Sequence, residues 1–539
     1  MYNPTTFLTE GIRNAFPLQL MPWDQYFVTM AEDDLLASRA EVTAVKPFFI
    51  RDAPFHGAYA LLGGINDALR TISELRFDTP EFRGAMLDAG SKEIFVNWLA
   101  QQRRLKLRVH SPREGEVFFP NEPIVIVEGP LPHVRLVEGI MTEAFNFASL
   151  SLTKWHRVVK SAGHGQVLEF SRRRAQNPLK SSLYAMLAGA SATSNAELRR
   201  FFRVPLGATF GHEYPMSYGD VKLAFRAWLE HHPDRPIGLV DTTQCLEVDY
   251  PAWLNAVYDA RESVMAADAP IWGWRNDSGD LAYLTIEQFV RFFQHPLSQI
   301  SWFAERMRIV LTNDLDEYAI ESIVQQISGQ ARQCGINAED VLSRIVWAAG
   351  TKPGTASDQP SLGGVMKLGE IGGQATMKLA FDANGKPGIK TSLPGFNKSA
   401  MVLNGRGELT HELIYPAERY EIRSNGKLYD RGKLAELRAL ELMHPDDADS
   451  LVEVAGYTCV PRQKLVYDSL TGNGFIDWPT DQIADVTQTI RTTVGALHWT
   501  SVRLDQPHVV KVRVTPDLFQ LRRSMIQGRR LKQDVYPSK

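Results

Sequence analysis

Cysteine is scarce in this chain: Cys245, Cys334 and Cys459 are its only three in 539 residues, far apart and without CxxC spacing. That excludes a disulfide framework or a structural zinc site and fits a reducing compartment. Long hydrophobic runs are missing too. Stretches such as IVIVEG at 124–129 fall far short of the roughly 20 apolar residues that a bilayer-crossing helix needs. The opening MYNPTTFLTEGIRNAF has no basic stretch leading into an apolar core, so it does not read as a secretory signal. The expectation is a soluble, cytoplasmic protein. Charge of one sign is also absent: 59 Lys and Arg stand against 62 Asp and Glu, a formal net charge of −3. Such a chain has no general pull on nucleic acid or anionic membrane. An anion site must then be a local gathering of Arg, Lys and backbone N–H groups. No GxxxxGK[ST] occurs, so a nucleoside triphosphate would not be held by a P-loop.

What is present is a globular balance, 44% hydrophobic and 22% charged, in a chain long enough for two or three structural units. Between Val167 and Leu379, short apolar segments recur, each ending in Gly or polar residues: VLEFSRRR, LGATFGHE, IGLVDTTQ, IWGWRNDSGD, RIVLTND and RIVWAAGT. Their starts lie roughly 30 to 40 residues apart, the length of a strand–helix unit. The stretches between them, such as VKLAFRAWLEHH (221–232) and LDEYAIESIVQQI (315–327), carry apolar residues at helical spacing. This pattern predicts a parallel sheet, closed as a barrel or doubly wound. Residues 1–155, with INDALRTISELR (65–76) and PIVIVEG (123–129), predict an α+β domain, and 156–380 the barrel. Residues 381–539 are expected to return in part to the first domain, ending in a basic solvated helix face with Arg522, Arg523, Arg529, Arg530 and Lys532.

The C-terminal ends of parallel strands collect active-site residues. Here those ends carry Arg173, Arg174, His212, Asp241, Arg275, Asp277, Asp280, Asn313, Asp314 and Thr351. In LEFSRRRAQNP three arginines follow an apolar strand, and alternation turns at least one toward the sheet end. The planar guanidinium matches carboxylate or phosphate, although an exposed basic turn is the bland reading. In GWRNDSGDL, Asp277 and Asp280 flank a Gly-containing turn and suit ribose hydroxyls or a magnesium–phosphate complex. The same turn also suits a helix N-cap. WAAGTKPGT (347–355) and LTNDLDE (311–317) offer turns leading into helices, where backbone N–H groups meet anions. His212, alone, would more often be structural than catalytic.

Together and in this order these motifs resemble the nicotinate phosphoribosyltransferase family. The resemblance starts at WDQYFVTMA (23–31) and continues through RDAPFHGAYALLGG, FFPNEPIVIVEGPL, LEFSRRRAQ, ATSN, ATFGHE, LVDT, RNDSGDL, NDLDEY and AAGT to VMKLGEIGGQATMKLA (365–380). It implies a type II phosphoribosyltransferase fold: an irregular α/β barrel with an N-terminal α+β domain and a C-terminal extension packing back on it. It implies a homodimer in which one subunit's N-terminal domain completes its partner's site. The implied reaction joins nicotinate to phosphoribosyl pyrophosphate, giving nicotinate mononucleotide and pyrophosphate, with Mg²⁺ carried on the pyrophosphate and no metal site built from protein groups alone. ATP would be a co-substrate, hydrolysed through a phosphorylated His212. Tyr26 corresponds to the aromatic that stacks on nicotinate, and Thr209 and Arg275 to positions that contact it. Arg173 and Arg174 match the family's Arg pair, and Gly350 with Thr351 its phosphate-binding Gly-Thr. With Asp277, Asp280 and Asn313 these form the expected site.

Ser171, Ala208 and Ala348 stand where the family usually has Gly, Gly211 where it has Ala, and LTNDLDE replaces Ser-Gly-Asp-Leu. Alternative readings are a nicotinamide or quinolinate phosphoribosyltransferase, or a catalytically silent sensor of the mononucleotide.

Overall fold

A computed structural model describes residues 8–163, 165–207, 209–381, 387–388, 390–476 and 482–535, with side chains left out of account at residues 9 and 529–535. Contacts divide the chain into two compact units, one of residues 1–4 with 151–360 and one of 5–150 with 361–539.

The first unit is built on a six-stranded sheet in the order Ala192–Thr193, Gln166–Glu169, Ile345–Ala349, Met307–Leu311, Trp272–Asn276, Ile237–Leu239. Every pairing in it is parallel. Among the described residues no pairing joins the first of these strands to the last, so the sheet is a half-barrel. Its central strands, IVWAA and WGWRN, are buried at every position, as a sheet covered on both faces requires. Trp272 and Trp274 fill the space between strand and helices, donating to Phe303 O at 2.6 Å and to Gln288 Oε1 at 2.7 Å. Gly273 is set by close approach, since a Cβ there would lie 1.8 Å from Arg308 O on the neighbouring strand.

Helices return the chain from strand to strand. Three of them start at an aspartate whose carboxylate takes an otherwise unpaired N–H. Asp220 caps Val221–His231, Asp280 caps Leu281–Gln294 and Asp316 caps Glu317–Gln333. Of the six segments expected as strands, LGATFGHE is the exception. Among the described residues it forms a single bridge, Leu206 to Thr193, and the sixth strand is Ala192–Thr193 instead. The physical reason is local: Gly207 and Gly211 hold no β-propensity, and a short helix, Glu213–Tyr218, starts directly after His212.

The second unit holds two larger sheets. In one, Thr43–Phe49 and Arg108–Ser111 flank Val125–Pro130, and Lys464–Asp468 from the C-terminal region pairs antiparallel with Arg108–Ser111. In the other, Leu409–Pro416 lies between Asn397–Leu403 and Lys511–Val514. The helix Pro516–Val535 follows. Its Arg522, expected on a solvated face, is instead buried, donating to Pro445 O at 2.7 Å and pairing with Asp446 at 2.5 Å. Burial is possible because both partners sit within reach of its guanidinium. The side chains of Arg529, Arg530 and Lys532 lie outside the described residues, as does Ala208. No described helix is long and apolar enough to cross a membrane.

Candidate active site

The C-terminal ends of the parallel strands in the first unit converge on one polar cluster. Arg275 is the penultimate residue of the strand Trp272–Asn276 and is only 8% exposed. Its Nη1 donates to Thr209 Oγ1 at 2.6 Å, its Nη2 lies 3.7 Å from Asp277, and its Nε has no hydrogen-bond partner. Burial pulls this guanidinium below its ordinary basicity, Asp277 and Asp241 oppose the shift, and Arg173 adds to it. The result is a buried cation with donor capacity to spare, the condition for receiving an external anion.

Two aspartates and a histidine face it. Asp241 follows the strand Ile237–Leu239, and its Oδ2 accepts from Asp277 N and from Ser278 Oγ, each at 2.7 Å. Its Oδ1 is buried and accepts no hydrogen bond among the described residues. Asp277 accepts from Thr312 at the end of the adjacent strand, a link between two strand ends. His212 Nδ1 lies 3.1 Å from Thr242 Oγ1, which leaves Nε2 3.7 Å from Asp277 and 3.9 Å from Asp241. With its side chain 39% exposed, this nitrogen is reachable by a ligand.

The three consecutive arginines divide. Arg172 donates to the buried Asn195 at 2.8 Å and Arg174 to Thr351 Oγ1 at 2.6 Å. Arg173 is exposed, without a hydrogen bond among the described residues. Their turn is anchored by Glu169, a fully buried carboxylate that accepts from the Ser171 N–H at 2.5 Å and from the hydroxyls of Ser171 and Thr193. Opposite, Gly350 and Thr351 start the short helix Thr351–Thr355. Gly354 in that helix packs so closely that a Cβ there would lie 2.2 Å from Ser171 Cβ. Lys352 pairs with Asp316 at 2.8 Å, and Arg157 with the buried Glu317 at 2.7 Å, which ties down the loop after Leu311. Within it Asn313 and Asp314 hold φ of 100° and 46°. Asn and Asp are the residue types that enter this region at least cost after glycine.

Thr209, His212, Arg275 and Asp277 are therefore brought together, and Arg174 with Thr351 form a second pair. Asp280 serves as an N-cap, accepting from Tyr283 N at 3.0 Å. Tyr26 lies in the other unit, on the helix Gln25–Leu36, 54% exposed and against Phe27 with ring centroids 4.0 Å apart. Neither Ser171 nor Ala348 strains the backbone. Ser171 is not in the left-handed region, and Ala348 sits in regular strand register with Leu168. Sequence reasoning left out Glu169, Thr242 and Thr312. A carboxylate or hydroxyl at the end of an apolar strand or within three residues after it was their only signal.

Comparison with known proteins agrees with this geometry. The profile of the nicotinate phosphoribosyltransferase (NAPRTase) N-terminal domain matches residues 21–143. The chain is 27% identical to the nicotinate phosphoribosyltransferase of Bacillus subtilis over 499 residues, covering 92% of this chain and 93% of that one. It is 30% identical to one from Mycobacterium tuberculosis over 371 residues, covering 68% and 73%. The crystal structure of human nicotinic acid phosphoribosyltransferase shares the fold, with a TM-score of 0.73 at 24% identity over 93% of this chain and 99% of that one. By sequence over most of its length, and by fold, the chain belongs to the nicotinate phosphoribosyltransferase family.

Proposed function

We propose that this protein transfers the 5-phosphoribosyl group of phosphoribosyl pyrophosphate to the ring nitrogen of nicotinate, releasing pyrophosphate, as a step of NAD biosynthesis. The observation that carries the reading is Arg275, buried beside Thr209 with unused donor capacity. Transfer passes through a ribosyl cation-like state, which needs electrostatic support and alignment more than proton transfer. The pyridine nitrogen is itself the nucleophile, so no general base is required. Its lone pair forms the new C–N bond as the bond from the ribosyl carbon to pyrophosphate breaks. Arg275 and Thr209 would take the carboxylate and so set nicotinate apart from its neutral amide, which leaves a buried Arg unpaired.

Arg173, Arg174, Gly350 and Thr351 would hold the phosphates, with Asn313 and Asp280 lining the same strand ends. Asp241 and Asp277 suit Mg²⁺, because Asp241 offers a buried oxygen that accepts no hydrogen bond among the described residues. The ion, when bound, neutralises charge on the leaving pyrophosphate.

ATP would be coupled through His212. The Nε2 lone pair attacks the γ-phosphorus, the bond to the ADP oxygen breaks, and ADP leaves. Thr242 supports this by engaging Nδ1 and leaving Nε2 toward the cluster. Tyr26 would stack on nicotinate in the site of a partner subunit, in a cytoplasmic homodimer.

Two measurements test the proposal. Turnover with nicotinate, nicotinamide and quinolinate, each with and without ATP, should show nicotinate preferred and ATP stimulating. Labelled γ-phosphate should appear on wild type as an acid-labile, base-stable adduct and be missing from His212→Asn. Turnover of none of the three pyridines would leave a silent binding protein, and unlabelled wild type would end the ATP coupling.

A further inference from the structure

The second unit contains a cavity of about 430 Å³, within the range of small-ligand sites. It is formed by the strand Thr43–Phe49, the turn at 120–123, the start of Asn397–Leu403, the loop at 444–446 and the strand Lys511–Val514. Its apolar wall is made by Pro47, Phe49, Pro123, Leu393 and Ile414, flat rings and branched side chains.

Two buried polar atoms of this wall, Asn397 Oδ1 and Arg513 Nε, have no hydrogen-bond partner among the described residues. Asn397 is 6% exposed, and its Nδ2 donates to Pro394 O at 2.8 Å, yet its Oδ1 accepts nothing among the described residues. Arg513 makes no hydrogen bond or ion pair among the described residues, and its Nε is out of contact with solvent. Lys511, two positions earlier on the same strand, is likewise without an ion-pair partner. Next to it, in register on the parallel strand, lies His411. Asp446 is the carboxylate of this wall, and it is taken by Arg522. A half-buried guanidinium without a counter-ion costs free energy unless something from outside supplies one.

We propose that this cavity is a second ligand site, for a small organic anion whose carboxylate or phosphate meets Arg513 and Lys511 and whose flat apolar body lies against Pro47 and Phe49. The Oδ1 of Asn397 would accept from a donor group on that body. The site is separate from the polar cluster at the strand ends and does not depend on the reaction proposed there.

Phenyl phosphate and benzoate, with benzyl alcohol as the neutral control, test it by calorimetric titration of the full chain, as wild type and as Arg275→Ala, which disables the strand-end cluster and should bind the probes as wild type does. Saturable binding of one or both anions, weakening as salt is raised, and no binding of the alcohol, is expected. The arm that binds more tightly says whether phosphate or carboxylate is preferred. Arg513→Met, which keeps the volume and removes the charge, should weaken binding roughly tenfold to a hundredfold, the scale of a lost charge-assisted bond. The exposed Lys511→Ala should weaken it less and serves if Arg513→Met does not fold. Both should leave the KM for nicotinate unchanged. No binding to wild type at millimolar probe, equal binding to wild type and both variants, or loss of binding in Arg275→Ala would each overturn the proposal.

Discussion

At the scale of single residues, Arg275 carries the proposed recognition of nicotinate. Its guanidinium is held by Thr209 on one nitrogen and only loosely by Asp277, so most of its hydrogen-bonding capacity awaits a ligand. Arg275→Ala should raise the KM for nicotinate roughly tenfold to a hundredfold, or abolish turnover, since a charge-assisted bond is lost. Steady-state kinetics indistinguishable from wild type would remove Arg275 from the site. Nothing in the sequence singles out Glu169 in the same way. Its role is visible only once the Ser171 and Thr193 hydroxyls are seen to converge on it.

Elements set how close these residues come. The helix Thr351–Thr355 can bring Thr351 to Arg174 because Gly354 lets it rest on Ser171. Gly354→Ala must push helix and turn apart, and a displacement near 1 Å can cost up to about a hundredfold in rate. The loss should appear in kcat/KM for phosphoribosyl pyrophosphate. Adding Ser171→Gly, which removes the clashing Cβ, should restore most of it. Failure of the double variant to recover would mean that Gly354 is needed for backbone freedom rather than for space.

The whole molecule carries two further expectations. If Tyr26 serves a partner's site, mixing Tyr26→Ala with His212→Ala subunits should recover up to about a quarter of wild-type activity, because half the dimers are mixed and each holds one intact site. A fully active monomer in sedimentation would exclude this arrangement. Stability should also depend on two histidines, one in each unit. Burial, aided by Lys106, lowers His133 to about 3, and burial, aided by Lys160 and Arg157, lowers His156 to about 3. Both folded values lie below the unfolded one, so their contribution is complete above about pH 6.5. It falls by about 1.4 kcal/mol per histidine per pH unit as the pH drops below that. Urea midpoints measured between pH 6.5 and 5 should decline less steeply in His133→Gln/His156→Gln than in wild type, and equal slopes would refute the assignment.

The strand–helix repeat of 167–379 and the Asp280 cap were legible in the sequence, because burial on both faces of a parallel sheet and unpaired N–H groups at a helix start impose local signals. Arg275 and Asp277 were legible for the same reason, as polar residues ending an apolar run. LGATFGHE was misread as a strand, since its apolar residues resemble one and only sheet pairing shows that Thr193 takes the edge. The buried Arg522 was misread as solvated, because its partner Asp446 is distant in sequence. Family motifs placed His212 in the site, but its orientation by Thr242, the link from Thr312 to Asp277 and the unpartnered Arg513 are decided by tertiary structure alone. Periodicity reports what a residue's own element buries, whereas a hydrogen bond between strand ends depends on how separate elements are brought into register.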